Sequence, residues 1–185
     1  MKNTEPQKQF GLPTQDAHSD LVHQSEEDNC AIKAQEIMMH GMGLDVSEAQ
    51  LIQEAIDNGW YTPGQGTTIG DVGKLMELHG IDVTQSQGAS LYNLVSELSK
   101  GHPVLIGVDS GELWFPGPDE TFEDFIHGPQ ADHALLISGL NFNDDFTSGT
   151  VNLIDPGTGD ICKGYSLHQF VDAWNDSGNF MLTID

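Results

Sequence analysis

The sequence predicts an α+β fold in which N-terminal helices pack on a C-terminal antiparallel sheet. Helical periodicity dominates residues 29–101, and short β-rich runs follow from residue 103 onward. Two of these runs are joined by a turn-rich segment rather than by a helix, which indicates antiparallel pairing instead of βαβ units. The chain has 185 residues, which is enough for one ordinary domain and short for two.

The first 20 residues differ from the rest of the chain. They are polar, contain two prolines and show no helical or strand period. We interpret residues 1–20 as a flexible N-terminal arm that packs through Phe10 and Leu12. Residues 21–185 are then expected to form a single domain.

Four helices are predicted before the strands. In the first, from Asn29 to Gly41, apolar residues recur at intervals of three and four, with Asp28 or Asn29 as the N-cap. The second and fourth are "DVSEAQLIQEAIDNG", capped by Ser47, and "SLYNLVSELSKG", capped by Ser90. The third is "TTIGDVGKLMELHG". Its inward residues are expected to be Ile69, Val72, Leu75, Met76 and Leu78.

The predicted strands lie in the second half of the chain. They are "HPVLIGVD", "HALLISGLN", "TVNLIDP" and the closing "NFMLTID", with one late helix, "SLHQFVDAWNDSG". The segment "NFNDDFTSGT" between the second and third strands is rich in turn residues. These two strands are therefore expected to form a hairpin.

The charge of the chain excludes two classes of partner. Six Lys and Arg face 29 Asp and Glu, giving a formal charge of −23, so nucleic acid and anionic membrane surfaces would be repelled. Solubility and a basic partner both remain explanations of this charge. No apolar run approaches the roughly 18 residues of a membrane span, and no signal-peptide core is present, so a cytoplasmic protein is the default and signal-independent secretion stays open.

Cys30 is the first candidate for chemistry. Its predicted position in the first turn of a helix favours a thiolate, because unpaired N–H groups and the helix dipole point there. The acidic run of Glu26, Glu27 and Asp28 opposes a second anion, but an adjacent imidazolium would reverse that balance. The other cysteine, Cys162, lacks any partner motif and is interpreted as structural.

His133 and Asp155 are the candidate partners of this cysteine. His133 begins an apolar strand, and Asp155 ends the next strand of the predicted hairpin, near enough to orient the imidazole. Each of the three residues alone has an ordinary structural explanation, namely a buried thiol, a satisfied edge histidine and an Asp-Pro turn. Only the joint pattern indicates catalysis.

Several stretches resemble the C39-like branch of the papain-like cysteine peptidases. They are "HQSEEDNCAIKAQEIMMHGMGLDVSEAQL", "GTTIGDVGKLMELHGIDV", "SLYNLVSELSKGHPVLIGVD", "DHALLISGLN" and "VNLIDPGTG" followed by "YSLHQFVDAW". The resemblance implies a papain-like fold with Cys30 as nucleophile, His133 as general base and Asp155 as orienter. It also implies that Gln24 supplies the oxyanion-hole amide, with the Cys30 backbone N–H as second donor. The family often has Asp-Cys-Gly-Pro where this chain has Asn-Cys-Ala-Ile, which a helix accommodates.

Three functions are compatible with this pattern. The first is a cysteine-dependent hydrolase, a peptidase acting on a peptide or protein; the second is an acyltransferase, transglutaminase or deamidase with the same acyl-enzyme. The third is a non-catalytic acidic binding module on the same fold. The eight His show no HxxxH pattern and the two Cys form no CxxC pair, so neither a metal site nor a cofactor is expected.

The long loop before His133 is the candidate substrate-binding element. Trp114 and Phe115 either line a substrate groove or cover the edge of the core. Four carboxylates of the same loop would favour a basic substrate. They are Asp119, Glu120, Glu123 and Asp124.

Overall fold

The structure, a computed structural model, describes residues 8–115, 131–144 and 147–185. The α-helices in these ranges are α1 (Cys30–Gly41), α2 (Glu48–Asn58), α3 (Lys74–Leu78), α4 (Leu91–Ser99), α5 (Ser110–Trp114) and α6 (Leu167–Asn175). The strands are β1 (Lys8–Gly11), β2 (Ala17–His18), β3 (Val83–Ser86), β4 (Val104–Val108), β5 (His133–Phe142), β6 (Gly149–Asp155), β7 (Asp160–Ser166) and β8 (Met181–Ile184). Within the described ranges, no helix is long and apolar enough to cross a membrane.

All eight described strands join one antiparallel sheet: seven follow the order β2-β7-β6-β5-β4-β8-β3, and β1 lies off this path, paired with β5. The long strand β5 lies at the centre and pairs with β6 as the predicted hairpin. On its other edge, β4 pairs with residues 133–137 and β1 pairs with residues 139–142. The predicted α+β class with an antiparallel sheet is confirmed.

Helices cover both faces of this sheet. Leu105 and Leu136 pack with α1, α2 and α3 on one face, and Ile106 and Leu135 pack with α4 and α6 on the other. This alternation follows from the period of two along a strand, so β4 and β5 are apolar on both sides. The sequence predicted that the N-terminal helices pack on the sheet. The structure shows a second helical layer on the opposite face, which includes α5 and α6 from the C-terminal half.

The segment before residue 20 is more regular than its sequence suggests. The expectation that it lacks strands is wrong for Lys8–Gly11 and Ala17–His18, which pair with β5 and β7. Phe10 does pack, in an edge-on contact with Phe142 at 6.3 Å between ring centroids, whereas Leu12 is 50% exposed. A polar four-residue run forms a strand here because β5 offers it an unpaired edge.

The predicted third helix is interrupted. A 3₁₀ turn spans Ile69–Asp71, and α3 begins only after Gly73, whose φ of +97° is left-handed and so cannot continue a helix. Because of this break, two of the five residues expected to face inward do not: Ile69 is 37% exposed and Leu78 52%.

Candidate active site

Cys30 begins α1 and lies against the start of β5. Its side chain is half-buried, and its Sγ accepts a hydrogen bond from the backbone N–H of Ala134 at 3.4 Å. Asn29 takes the N-cap position but makes no side-chain cap: its Nδ2 donates to Glu48 and Ser25, and its buried Oδ1 has no hydrogen-bond partner among the described residues. The N–H groups of Ile32 and Lys33 donate to the Asn29 carbonyl, whereas those of Cys30 and Ala31 precede the first intrahelical bonds, which makes this end of α1 favourable for an anion.

His133 is the first residue of β5 and is only 8% exposed. Its Nε2 lies 2.7 Å from Oδ1 of Asp155, and the ring lines the same cleft as Cys30. Burial lowers the pKa of His133, but the hydrogen bonds and charges of Asp155 and Cys30 outweigh it and raise the pKa to about 10. The imidazole is therefore held between a thiol and a carboxylate that both favour its protonated form.

Asp155 ends β6 and is the most buried member of this group, at 1% exposure. Burial raises its pKa, but the hydrogen bond and charge of His133, with further donors, lower it below the ordinary value. The further donors are Trp114 Nε1, 3.0 Å from Oδ2, and the Gly157 N–H, 2.8 Å from Oδ1. Asp155 is thus a fully hydrogen-bonded carboxylate, which suits an orienting role.

Trp114 covers the histidine–aspartate pair. Its ring lies 5.1 Å from that of His133, centroid to centroid. The indole is held there by the short helix α5, which Asp109 caps through the N–H groups of Gly111 and Glu112. The sequence suggested that Trp114 either lines a substrate groove or covers the edge of the core. Its hydrogen bond to Asp155 is a further role that the sequence did not indicate.

Phe115 has no comparable position. It is 76% exposed and does not cover the pair, although it follows Trp114 directly. The four acidic residues of the same loop, Asp119, Glu120, Glu123 and Asp124, lie outside the described residues.

The turn after Asp155 joins the sheet to the segment before Cys30. The backbone N–H of Gln24 donates to the Pro156 carbonyl at 2.8 Å, and His23 Nε2 lies 3.0 Å from the Gly157 carbonyl. A Cβ at Gly157 would lie 3.0 Å from both His133 Cε1 and Trp114 Cη2, closer than ordinary contacts, so a side chain there would require these rings to shift. From the sequence, Asp155 was the only residue of this turn predicted to have a role, and the role of Gly157 was missed.

Gln24 lies near this group but does not present a free amide proton. Its Nε2 donates to the backbone carbonyls of Glu26 at 2.7 Å and Glu27 at 2.9 Å. The side chain is 9% exposed, and its Oε1 has no hydrogen-bond partner in the described part of the chain. Donation from Gln24 to an oxyanion would require one of these carbonyl bonds to be exchanged or shared.

Asp28 fixes the opposite rim of the site. It accepts hydrogen bonds from the Tyr61 hydroxyl at 2.7 Å and from the Gly64 N–H. The Tyr61 hydrogen bond is the main reason that the pKa of Asp28 is lowered, and burial together with Asp28 raises the pKa of Tyr61. Asp28 therefore anchors the loop after α2 instead of capping α1, a role that sequence periodicity could not indicate.

Two clefts meet at His133. One, of about 290 Å³, is mainly apolar and includes Cys30 in its lining; the other, of about 360 Å³, includes Gln24, Glu26 and Trp114. Because His133 borders both clefts, an extended peptide lying across the imidazole could place residues on either side of one amide bond.

A cysteine at a helix start, paired with a histidine and an aspartate on an antiparallel sheet, defines the papain-like cysteine peptidase class. The chain belongs to the Peptidase_C39 like family, whose sequence model matches residues 9–181. A search of curated protein sequences finds no match. Family membership supports an activity of the cysteine-peptidase kind.

Two solved structures share the fold at low sequence identity. A protein from Bacillus anthracis assigned as a C39-like peptidase superposes with a TM-score of 0.63 at 13% identity, over 96% of this chain and 98% of its own. A double glycine motif protease from an AMS/PCAT transporter, solved in complex with the leader peptide, gives 0.56 at 13% identity, over 96% and 97%. These likenesses confirm the papain-like fold.

Proposed function

We propose that this protein is a cysteine peptidase that cleaves amide bonds of a peptide or protein through an acyl-enzyme on Cys30. The observation that carries the proposal is that Cys30 and His133 line one cleft, with His133 Nε2 2.7 Å from the buried carboxylate of Asp155. Such an arrangement is the means by which a thiol becomes a nucleophile near neutral pH.

The reaction follows from these positions. The Cys30 sulfur attacks the substrate carbonyl carbon, and the protonated His133 transfers its proton to the leaving amine as the C–N bond breaks. His133 then takes a proton from a water molecule, which attacks the thioester and releases the carboxylic acid and the thiol. Asp155 keeps the imidazole ring oriented and stabilises its charged form throughout.

Two groups are proposed to stabilise the oxyanion. The Cys30 backbone N–H lies in the open first turn of α1, and Gln24 is the nearby amide. A donor aimed at the developing oxyanion is typically worth about 10²-fold or more in turnover. We expect substrate binding to draw one Nε2 proton of Gln24 away from the carbonyls of Glu26 and Glu27.

The substrate is proposed to be a peptide, and the acidic surface favours a basic one. The related double glycine motif protease was solved with a leader peptide, which is the same class of ligand. In this protein, the cleft that contains Trp114 also carries Glu26 and Glu27, so a cationic side chain would be attracted there. Phe115 lies at the exposed edge next to Trp114 and is proposed to contact the same substrate.

The second candidate is acyl transfer by the same site. An amine that enters the cleft beside His133 would attack the thioester in place of water, which is the reaction of an acyltransferase or transglutaminase. The carboxylates of Glu26 and Glu27 favour such an amine. A purely non-catalytic module is the weaker alternative, because it has no need for a paired His133 and Asp155 beneath an accessible thiol.

A thiol-directed acyl probe tests the proposal. We expect wild-type protein to be labelled at Cys30, the Cys30→Ala variant not at all, and the His133→Ala variant at least about 10²-fold more slowly. Cys162→Ala is the matched control, because Cys162 is fully buried and should leave labelling unchanged. Equal labelling rates for wild type and His133→Ala would contradict the enzymatic function.

A further inference from the structure

A group of buried charges lies directly behind the nucleophile. Lys33 and Glu36 of α1 and Glu48, the first residue of α2, have side-chain exposures of 8%, 7% and 14%. Lys33 Nζ lies 2.6 Å from Glu36 Oε2 and 3.5 Å from Glu48 Oε2. None of these residues was singled out by the sequence pattern, which placed α1 and α2 correctly but treated them as ordinary amphipathic helices.

The charges in this group do not balance. One buried lysine faces two carboxylates, and His40, 3.9 Å from Glu36, is half-exposed and also lies 2.7 Å from the Val46 carbonyl. A surplus buried carboxylate is costly unless neutral donors stabilise it. A structural reason for the second carboxylate must therefore lie in the donors that it receives.

Those donors come from the segment that precedes Cys30. Oε1 of Glu48 accepts hydrogen bonds from the Ser25 N–H at 2.8 Å, the Ser25 hydroxyl at 3.0 Å and the Asn29 amide at 2.8 Å. Ser25 follows Gln24, and Asn29 precedes Cys30. Glu48 Oε1 thus binds both ends of residues 25–29, the segment that connects Gln24, the proposed oxyanion donor, to the nucleophile Cys30.

We propose that Glu48 is a positioning residue that holds residues 25–29 in the conformation required for oxyanion stabilisation. The expected effect of Glu48 on catalysis rests on the proposed function, whereas its effect on the conformation of residues 25–29 does not. Lys33 Nζ, 3.5 Å from Glu48 Oε2, holds the carboxylate in place, and the pair formed by His133 and Asp155 is anchored elsewhere, on the sheet. Loss of Glu48 should therefore weaken the oxyanion hole and leave activation of the thiol intact.

The experiment compares Glu48→Ala with Glu48→Gln, which keeps an oxygen able to accept from Ser25 and Asn29. For a peptide substrate, we expect Glu48→Ala to lower kcat by about tenfold to a hundredfold with KM changed less than about threefold, and Glu48→Gln to recover most of the loss. Alkylation of Cys30 by iodoacetamide forms no oxyanion, so its rate and pH profile should stay within about twofold of wild type.

The matched control is Glu54→Ala. Glu54 is another partly buried carboxylate of α2, hydrogen-bonded to His79 at 2.7 Å and to Gln50, with no contact to the segment before Cys30. The Glu54→Ala substitution should lower the free energy of unfolding and leave kcat unchanged. An unchanged kcat in Glu48→Ala, or a parallel loss of kcat and alkylation, would overturn the positioning role.

Hydrogen exchange separates this proposal from the proposed function. The Ser25 amide should exchange at least about tenfold faster in Glu48→Ala and not in Glu54→Ala, because only the first removes its acceptor. If wild-type protein shows no turnover that depends on Cys30, the proposed function fails, and the Ser25 exchange rate alone decides whether Glu48 holds the segment. Equal Ser25 exchange in wild type and Glu48→Ala would refute the proposal.

Discussion

The two halves of the candidate active site differ in how completely their polar groups are paired. The base half, formed by His133, Asp155, Trp114 and Gly157, gives Asp155 three donors and His133 two partners. The nucleophile half is formed by Gln24, residues 25–29 and Cys30. In it, Gln24 Oε1 has no hydrogen-bond partner among the described residues, and Gln24 Nε2 donates to two backbone carbonyls. The base half is therefore paired in the structure itself, whereas we expect the nucleophile half to be completed when a substrate binds.

This difference makes the halves separable by experiment. Alkylation of the thiol requires only that His133 and Cys30 share a proton, so it reports on the base half. Turnover of a peptide also requires the oxyanion donors, so it reports on both. The first three of the four predictions that follow use this pair of measurements.

The largest effect is expected from Asp155→Ala. Burial, which lowers the pKa of His133, would then be opposed by Cys30 alone, and the ring would lose its partner at Nε2. Peptide turnover should fall by about 10²- to 10³-fold, and alkylation at pH 6.5 should slow as well. Asp155→Asn retains a hydrogen-bond partner and should recover part of both; a normal alkylation rate in Asp155→Ala would show that the base half acts without its carboxylate.

Gln24→Ala should separate the two measurements. We expect turnover to fall by about 10²-fold, the usual value of one oxyanion donor, while the alkylation rate stays within about twofold. The cause is that Gln24 contacts the carbonyls of Glu26 and Glu27 and not the base. If turnover is unchanged, Gln24 is a structural residue, and its present hydrogen bonds are its only role.

Gly157→Ala should disturb the base half through packing. The new Cβ would lie 3.0 Å from His133 Cε1, closer than ordinary contacts, so the imidazole must shift by a few tenths of an ångström. Turnover and alkylation should both fall, by roughly tenfold. Gly41→Ala is the control, because a Cβ at Gly41 meets nothing within 4 Å; equal effects of the two substitutions would contradict the packing argument.

The smallest effect concerns stability and pH. His133 has a pKa of about 10 in the folded protein against an ordinary value near 6.5, so folding favours its protonated form. This contribution is fully present below about pH 6.5 and is lost as the pH rises through about 10. Over that pH range, the free energy of unfolding in urea should therefore fall further in wild type than in His133→Gln, and the two decreases should differ by at least about 1.4 kcal/mol. Parallel curves would contradict the shifted pKa.

The sequence allowed much of the frame to be predicted. The period of Cys30, Ala34 and Met38 correctly indicated α1, and the turn-rich segment after β5 correctly indicated the hairpin that brings Asp155 to His133. In both cases the signal is local, since burial of one face imposes a period that a short window reveals. The approach of Cys30 to β5 joins residues 104 positions apart and has no local signal, so it was expected only from the joint pattern of cysteine, histidine and aspartate and from the family resemblance.

The missed features depend on distant partners. Strand β3 is a short polar run that exists because β8 offers it hydrogen bonds, and its sequence, VTQS, carries little apolar alternation. The bond from Trp114 to Asp155 depends on the short helix α5, whose one local signal was Asp109 at its N-cap. Glu48 gave no signal, because a glutamate at the start of a helix is ordinary until its partners are known.

The division of one edge of β5 between two partners has a consequence for solubility. Among the described residues, β1 is the only strand that covers residues 139–142 on that edge, and it is short, spanning Lys8–Gly11. Clipping the polypeptide between Gly11 and the next paired segment would expose a row of backbone donors and acceptors beside apolar side chains. In a molecule trimmed there, the apolar β5 would replace the short, polar β1 as the edge strand, and we expect such molecules to pair edge to edge with their copies.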